Sequence, residues 1–281
     1  MPELPEVETI ARILRVGRSD SPVQPALVGR HILGANLLWE RSLAEPSSAE
    51  FAGRLTGQVI EDIGRRGKFL YLRLTRDWLL YHLRMSGDLL VRPTGSPTET
   101  HDRLVLELDG NIQLVFNDAR KFGRVWLVDE VDQVVGNLGP EPLDDGLTAQ
   151  SLYSRLHTTH RQLKPLLLDQ TFLAGLGNIY VDEALNLAKL HPLTPANHLS
   201  LEQAGRLLES IRTVLQDGIA RNGASIDWVY RGGDFQNYFR VYQRTGEPCP
   251  ECGTPIARII VGQRGTHFCP HCQPFLVVNG G

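Results

Sequence analysis

The chain has 281 residues, of which 42% are hydrophobic, and a formal net charge of −3. This length predicts two domains, or one large and one small, with room for a sizeable core. No run of about eighteen apolar residues occurs and the charged N-terminus lacks a signal-peptide apolar region, so we expect a cytoplasmic protein without a membrane segment. The net charge excludes nucleic-acid binding by bulk electrostatics, so any such binding must depend on local basic patches.

The first predicted element is an amphipathic helix that begins near Pro5, a residue suited to a helix start. Apolar residues then recur at helical spacing: Val7, Ile10, Ile13 and Leu14. Glu3 and Glu6 would lie at the helix N-terminus, near Pro2. Removal of the initiator methionine would leave Pro2 as a free secondary amine, which forms a permanently cationic iminium ion with a sugar aldehyde carbon. Proline and glutamate are also ordinary helix starters, and the segment alone favours that purely structural interpretation.

Strand signals dominate the following part of the chain. The predicted strands cover residues 58–63, 68–74, 78–83, 104–108, 112–116 and 124–128. Asp109-Gly110 between two of them is typical of a hairpin turn. We therefore expect a β-sandwich or barrel with the N-terminal helix packed against it. Two basic patches, 65–68 and 120–124, lie in this part, and each by itself fits an ordinary solvated face.

Helical signals take over after residues 139–142. The predicted helices cover residues 151–157, 161–170, 179–190 and 201–221. Ser200 and Gln203 form a capping box at the start of the last helix. A glycine-rich turn at 173–178 ends at Asn178, a good N-cap residue, and its backbone N–H groups suit a phosphate. An ordinary helix-turn-helix hairpin explains these glycines equally well.

All four cysteines lie near the C-terminal end, as two Cys-x-x-Cys pairs sixteen residues apart: Cys249, Cys252, Cys269 and Cys272. This is the spacing of a zinc ribbon, with a hairpin over 257–268 that turns at 262–265. Four thiolates complete the coordination of one Zn²⁺, so the metal is expected to be structural. Disulfides are the alternative, which the expected intracellular location disfavours.

Seven motifs occur in an order that resembles one family. They are Pro2-Glu3-Leu4-Pro5-Glu6-Val7-Glu8-Thr9, residues 67–70, residues 82–87, residues 118–123, residues 177–180, Val241-Tyr242, and the ribbon with Arg264-Gly265-Thr266. The chain resembles formamidopyrimidine-DNA glycosylase over residues 2–273, a family of bifunctional repair enzymes that remove oxidised purines. The resemblance implies an α+β multidomain fold: an N-terminal β-sandwich with its helix over 1–143, a helix-two-turn-helix domain over 144–240, and a zinc finger over 241–281.

The resemblance also implies a catalytic set. Pro2 would attack C1′ of the damaged nucleotide and displace the base, and Glu3 would be the acid that assists opening of the sugar ring, with Glu6 as a supporting carboxylate. Lys68 matches the lysine that the family assigns to β-elimination and to a phosphate beside the lesion. Arg264 at the ribbon tip matches an arginine with a role in δ-elimination, so the zinc site would serve to aim that arginine.

The partner implied is damaged double-stranded DNA, bound by a monomer. Met85, Arg120 and Phe122 match the residues that fill the gap left by the everted base. The side chains expected to contact phosphate are Lys68, His82, Asn178, Tyr242 and Arg264. His101 also falls where relatives have a DNA-contacting histidine.

The sequence departs from common family members at three places. Residues 19–25 lengthen the loop after the first helix, and Ala119 stands where proline is frequent. The segment 223–242, which in relatives carries a loop that closes over 8-oxoguanine, is shorter, with Gly232-Gly233 as its expected hinge. Two alternatives stay open: an endonuclease VIII-like glycosylase for oxidised pyrimidines, from which the N-terminal motif differs, and a non-catalytic binder of damaged DNA, against which Pro2, Glu3 and Lys68 argue.

Overall fold

The computed structural model describes residues 1–19, 24–225 and 232–275. Contacts divide the chain into two compact units. The first unit comprises Met1–Asn137 and Asn222–Gly233, and the second comprises Leu138–Arg221 and Asp234–Gly281. Each unit is therefore built from two separate stretches of the chain.

The first unit contains two β-sheets and a long N-terminal helix. Its elements are α1 (Leu4–Val16), β1 (Ile32–Leu37), β2 (Leu43–Glu45), α2 (Ser48–Leu55), β3 (Ile60–Arg66), β4 (Phe69–Leu74), β5 (Trp78–His82), β6 (Gly87–Pro93), β7 (Asp102–Leu108), β8 (Ile112–Asp118), β9 (Arg124–Val128) and α3 (Asp132–Val135). The four-stranded sheet has the order β1-β7-β8-β6, and the five-stranded sheet has the order β2-β9-β5-β4-β3. All pairs are antiparallel except the parallel pair β2–β9.

One apolar core joins these two sheets. Alternate residues of β7 and β8, such as Leu106 and Phe116, share a buried cluster with Leu72 of β4 and Tyr81 of β5. The period-2 alternation of strands places these side chains on the inner faces of the sheets. The apolar stripe of α1 adds to the same cluster and covers β3 and β4. The predicted β-sandwich with a packed N-terminal helix is thus confirmed.

Five elements of this unit were not predicted from the sequence. They are β1, β2, α2, β6 and α3. Gly34 and Asn36 interrupt the strand signal of β1, whose register with β7 shifts between Ile32 and Gly34. β2 has only three residues, so it offers too little sequence for a periodic pattern.

The second unit is helical and ends in a hairpin. Its elements are α4 (Ala149–Leu156), α5 (Leu163–Leu167), α6 (Asn178–Leu187), α7 (Leu201–Ala220), β10 (Ala257–Val261) and β11 (Arg264–Phe268). α4 and α6 pack against α7. The predicted capping box is present, because Gln203 N donates to Ser200 Oγ (3.2 Å) and Ser200 N donates to Gln203 Oε1 (2.9 Å). α5 is shorter than predicted, since Gln162 instead forms a β-bridge with Pro195.

The length and polarity of the helices determine whether any of them could span a membrane. The longest, α7, has twenty residues and carries charged side chains along its outer face, such as Glu202 and Arg206. None of the helices in the described ranges is long and apolar enough to cross a membrane.

Candidate active site and nucleic-acid interface

The buried start of α1 carries the proposed nucleophile. Pro2, Glu3 and Glu6 are all buried, and Pro5 is the second residue of the helix. Glu6 Oε2 accepts a hydrogen bond from Glu3 N at 2.8 Å, which satisfies an N–H group that the helix itself cannot pair. The Glu6 carboxylate therefore lies next to the main chain of Glu3, which follows Pro2, and a Glu3 carboxyl group beside the Pro2 nitrogen stays a prediction.

Glu6 makes a second main-chain contact from its other carboxylate oxygen. Oε1 accepts from Ala224 N at 2.7 Å. The preceding Gly223 has φ of +82°, and a Cβ there would lie 2.6 Å from Glu6 Oε1. Only glycine therefore fits at position 223, and Glu6 joins the first turn of α1 to the segment that begins at Asn222. The predicted hinge at Gly232-Gly233 borders residues 226–231, which lie outside the described residues.

Lys68 lies in the turn between β3 and β4. The sequence predicted a strand over 68–74, but β4 begins at Phe69, and Gly67-Lys68 form a two-residue hairpin turn in which Gly67 has φ of +58°. The side chain of Lys68 is buried despite this turn position. Since α1 packs on β3 and β4, the lysine and the N-terminus belong to the same part of the first unit.

His82 ends β5 and is almost fully buried. Its Nδ1 accepts a hydrogen bond from Arg84 N at 3.1 Å, so Nε2 carries the proton. Burial lowers the pKa of His82 to about 3, with further lowering by the charges of Arg84 and Lys68. His82 is therefore a neutral donor at physiological pH, able to hydrogen-bond a phosphate without contributing charge.

The three expected gap-filling residues stand on two turns. Met85 lies in the turn between β5 and β6 and is 39% exposed, and Phe122 lies in the turn between β8 and β9 and is 53% exposed. The guanidinium of Arg120 lies over the Phe122 ring at 5.6 Å. β6 pairs with β8 so that Gly87 faces Asp118, which brings the two turns to one edge of the four-stranded sheet. The two turns therefore present two exposed apolar side chains and one guanidinium at the same end of the sheet.

In the second unit, Asn178 and Lys164 hold the ribbon tip. Asn178 Nδ2 and Lys164 Nζ both donate to Gly265 O, each at 3.0 Å. Asn178 was predicted as the helix N-cap, but the N-cap is Gly177 and Asn178 is the first residue of α6. Its side chain contacts the ribbon through one hydrogen of Nδ2, and the same nitrogen carries a second hydrogen that suits a phosphate oxygen.

A buried ion pair lies beneath this contact. Lys164 Nζ is 2.6 Å from Asp182 Oδ1, and Lys164 is 0% and Asp182 1% exposed. Asp182 Oδ2 accepts from His267 N on β11 at 2.9 Å. Sequence reasoning missed both residues. Two features of the sequence could have indicated them. One is a lysine inside the apolar run 163–168, and the other is a pair of acids inside the apolar helix pattern 179–190, since charged residues are rarely buried without a partner.

Tyr242 is held through its main chain by Glu183. The two carboxylate oxygens accept from the backbone N–H groups of Arg240 (2.8 Å), Val241 (3.0 Å) and Tyr242 (2.8 Å). Burial raises the pKa of Glu183, and these hydrogen bonds oppose that effect. The Tyr242 ring contacts His267 edge-on at 5.2 Å. α6 therefore positions both the segment at 240–242 and the ribbon.

The four cysteines form the zinc site. Their Sγ atoms all lie within 4.8 Å of one another, with 4.0 Å between Cys249 and Cys272 and 3.5 Å between Cys252 and Cys269. Tetrahedral Zn²⁺ with sulfur at about 2.3 Å requires sulfur–sulfur separations of roughly 3.8 Å, so the cluster fits the ion. Four protein ligands leave no open position, which makes the zinc structural.

Arg264 begins β11 at the tip of the ribbon hairpin. Gly262 and Gln263 form the two-residue turn before it, with φ of +53° and +63°. Arg264 lies five positions before Cys269, so in an extended strand the Cα atoms of these two residues are roughly 16 Å apart. The zinc therefore fixes the base of the hairpin, while the contacts to Gly265 O fix its tip.

The remaining predicted site residue, His101, is exposed just before β7. Its carbonyl accepts from Asp118 N at 2.8 Å, which ties it to the end of β8. His101 thus joins the same sheet edge as the Met85 and Phe122 turns.

Comparison with known proteins gives matches to both units. Models of the formamidopyrimidine-DNA glycosylase N-terminal domain, its H2TH domain and the zinc finger found in FPG and IleRS match residues 1–125, 138–229 and 246–274. The formamidopyrimidine-DNA glycosylases of Chloroflexus aurantiacus and Chloroflexus aggregans are 48% and 47% identical, over 97% of this chain and 98% of each relative.

Two solved structures are similar over the full length. Wild-type Lactococcus lactis Fpg (MutM) with DNA containing N7-benzyl-Fapy-dG has a TM-score of 0.88 and 38% identity, and MutM with DNA containing carbocyclic 8-oxo-G has 0.88 and 39%. Each comparison covers 97% of this chain and 100% of the other. Fold, zinc site and matches define a base-excision repair DNA glycosylase with abasic-site lyase activity. The chain belongs to the formamidopyrimidine-DNA glycosylase family.

Proposed function

We propose that this protein excises oxidised purines, both formamidopyrimidines and 8-oxoguanine, from damaged double-stranded DNA and then cleaves the strand at the resulting abasic site. The observation that carries the proposal is the buried start of α1, where Pro2 precedes the carboxyl groups of Glu3 and Glu6. The complexes of similar proteins with Fapy-dG and 8-oxo-G analogues support this choice of lesions.

The first step uses the nitrogen of Pro2 after removal of Met1. This nitrogen attacks C1′ of the lesion nucleotide, and the glycosidic bond breaks with its electron pair leaving on the base, which takes up a proton. The nitrogen loses its own proton, and Glu3 protonates O4′ as the C1′–O4′ bond opens the sugar ring. The product is an iminium ion that needs no further proton to stay cationic.

The iminium ion then drives strand cleavage. It acidifies the C2′ proton, and loss of that proton breaks the C3′–O3′ bond in β-elimination, to which we assign Lys68. A second elimination breaks the C5′–O5′ bond, and we assign Arg264 to that step. In both eliminations the phosphate leaves with the bonding electrons, so a cationic side chain near each phosphate stabilises the developing charge.

DNA binding is proposed to use the remaining site residues. Met85, Arg120 and Phe122 would fill the space of the everted base, and phosphates would contact Lys68, His82, Asn178, Tyr242 and Arg264, with His101 as a further DNA contact. Because one chain supplies every side chain in the scheme, we propose a monomer that acts in the cytoplasm, on the nucleoid. Light scattering of the pure protein, alone and with DNA, tests the monomer.

Borohydride trapping tests the reaction. Protein whose loss of Met1 is verified by mass spectrometry is incubated with duplexes that contain 8-oxoguanine opposite cytosine, a formamidopyrimidine, or thymine glycol. We expect a covalent adduct with the two purine lesions, because borohydride reduces the iminium to a stable amine. A matched preparation that retains Met1 should give none, since its Pro2 nitrogen is an amide.

The outcomes separate the candidate functions. Absence of any adduct with the processed protein would refute the lyase proposal and leave a binder of damaged DNA. An adduct mainly with thymine glycol would instead indicate a glycosylase for oxidised pyrimidines. Glu3→Gln should bind the duplexes normally yet trap slowly, because an amide cannot donate the proton to O4′.

A further inference from the structure

Asp118, at the end of β8, holds two separate turns with one carboxylate. It is 1% exposed. Oδ1 accepts from Ser86 Oγ and from Arg120 N (3.2 Å), and Oδ2 accepts from Gly123 N at 2.7 Å. Ser86 Oγ also accepts from Arg120 N at 3.1 Å, which links the two turns a second time. One buried side chain thus binds the turn that carries Met85 and the turn that carries Arg120 and Phe122.

The main chain of Asp118 joins a third turn to the same point. Its N–H donates to His101 O at 2.8 Å, and its carbonyl accepts from Arg103 Nε at 2.8 Å. Arg103 is itself buried and donates through Nη1 to Thr100 O and Asp102 O, both at 3.2 Å. Three chain segments that bear exposed side chains therefore converge on one residue.

The fit around the carboxylate depends on glycine. A Cβ at Gly123 would lie 2.3 Å from the ring of Phe116 and 3.1 Å from Asp118 Oδ2, and a Cβ at Gly87 would lie 2.6 Å from Leu83 O. Gly123, just before β9, lets its turn approach Asp118 Oδ2, and Gly87, the first residue of β6, lets the Met85 turn close on the Leu83 carbonyl. The close approach fixes both turns relative to the sheet edge.

We propose that Asp118 is the positioning residue for base eversion: it sets the relative placement of Met85, Arg120 and Phe122, so that the three side chains enter the duplex as one preformed wedge. This inference rests on the proposed function. Ser86 Oγ, Arg120 N and Gly123 N all donate hydrogen bonds to the carboxylate. A side chain with two acceptor oxygens is therefore needed to accept all three bonds. Turns that are held in place beforehand lose less conformational freedom when the base leaves the stack than mobile turns would.

Asp118→Asn is the isosteric test. The amide keeps the shape but turns one oxygen into an N–H₂ group that faces a donor, so one turn is released. Single-turnover excision of 8-oxoguanine opposite cytosine is expected to slow by about 100-fold, the cost of a displacement near 1 Å. Cleavage of a preformed abasic site should change far less, because no base remains to be unstacked. Preference for cytosine over adenine opposite the lesion should also weaken, if Arg120, inserted in the gap, contacts the base that has lost its partner.

Asp102→Asn supplies a matched control. Asp102 is 3% exposed, lies on the neighbouring strand β7, and likewise accepts from three donors: Arg92 Nη1, Glu99 N and Asn117 Nδ2, all at 2.8 Å. It contacts neither the Met85 turn nor the Arg120 turn. A comparable loss of thermal stability is expected in both variants, with the selective loss of excision only in Asp118→Asn.

Ser86→Ala keeps the inference testable if Asp118→Asn does not fold. It removes a half-buried hydroxyl that bonds both Asp118 and Arg120 N, and we expect a smaller loss of the same kind: slower excision with abasic-site cleavage retained. Equal losses of excision and abasic-site cleavage in these variants, or equal excision in Asp118→Asn and Asp102→Asn, would overturn the proposal. Absence of excision by the wild-type protein would instead overturn the proposed function.

Discussion

The two regions that we propose to bind DNA are stabilised in different ways. In the first unit the functional turns extend from a sandwich with one large apolar core. In the described part of the ribbon, the apolar cluster around the cysteines comprises four buried residues, Val241, Cys249, Ile256 and Cys269, with Cys272 packed against it. So small a core cannot stabilise a hairpin in water, and the metal and the buried polar contacts to α6 must do it.

The same chemical device therefore has different consequences in the two units. Glu6 and Asp118 in the first unit, and Asp182 and Glu183 in the second, are buried carboxylates that accept main-chain N–H groups. In the sandwich, a hydrogen bond to a buried carboxylate positions a turn, while the apolar core stabilises the fold. In the ribbon, the same kind of hydrogen bond contributes to the stability of the fold itself. Polar substitutions should thus impair activity in the first unit and local folding in the second.

Removal of zinc is expected to have the largest effect. Cys249→Ala, or chelation of the wild-type metal, should unfold the ribbon, because zinc binding by small zinc-finger peptides is worth about 10–16 kcal/mol. Zinc release by a colorimetric chelator and DNA affinity by fluorescence anisotropy measure the two consequences. Chelated protein reloaded with Zn²⁺ is the control. Retained affinity in the zinc-free variant would refute the positioning role that we give the ribbon.

The Lys164–Asp182 pair provides the next test. Lys164→Met leaves the buried Asp182 carboxylate without its lysine partner, at a cost of about 3–5 kcal/mol. The Gly265 carbonyl also loses one of its two donors. We expect faster zinc exchange and a larger share of β- over β,δ-elimination products. Lys189→Met, which removes an exposed ion pair to Glu251 in the same unit, should leave both unchanged. An unchanged product ratio in Lys164→Met would show that the Lys164 contact is not needed to fix the tip.

A smaller effect is expected at Glu6. Glu6→Gln turns one acceptor into a donor that faces either Glu3 N or Ala224 N, which should cost about 1–3 kcal/mol of unfolding free energy. Trapping with borohydride should slow because Glu3 is no longer held. Glu8→Gln is the matched control on the same helix, because Glu8 pairs with the side chain of Arg65. Equal trapping rates in the two variants would refute a role of Glu6 in positioning Glu3 for the reaction.

The smallest effect comes from His82 and depends on pH. Its pKa is about 3 in the folded protein and about 6.5 in the unfolded chain, so between these values only the unfolded chain binds the proton. Stability is therefore lost as the pH falls below 6.5, by roughly 0.8 kcal/mol at pH 6. Urea unfolding at pH 7.5 and pH 6 should show this loss in the wild type and a smaller one in His82→Gln. The same loss in both proteins would exclude a neutral, buried His82.

The sequence predicted the parts of the site that depend on residue type and spacing. The zinc cluster followed from two Cys-x-x-Cys pairs, and the position of Glu3 and Glu6 at the start of α1 followed from helical periodicity. Strands with a regular alternation of apolar and polar residues, such as β7 and β8, were predicted. The strands β1 and β2 were not, because a glycine interrupts the alternation in β1 and three residues are too few to show it in β2.

The partners that position the site could not be predicted. Asp118 lies within the family motif at residues 118–123, but its hydrogen bond with Ser86 joins residues that are 32 positions apart in the sequence. The contact of Lys164 with Gly265 spans 101 positions. Such pairs form only when strands and helices pack, so nothing in local sequence identifies them. A buried charge in an apolar run indicates that a partner exists without indicating which residue it is.

The neutrality of His82 has a consequence for the ionic atmosphere of DNA. Affinity for DNA falls with salt because each cation that neutralises a phosphate releases a condensed counterion. Of the five side chains that we propose contact phosphate, only Lys68 and Arg264 carry charge, so these five should contribute a slope of roughly −2 to log affinity against log salt concentration. These five side chains would thus bind phosphate by neutral hydrogen bonds at three positions and by charge at two, so their contribution to affinity should weaken less with rising salt than that of five cations.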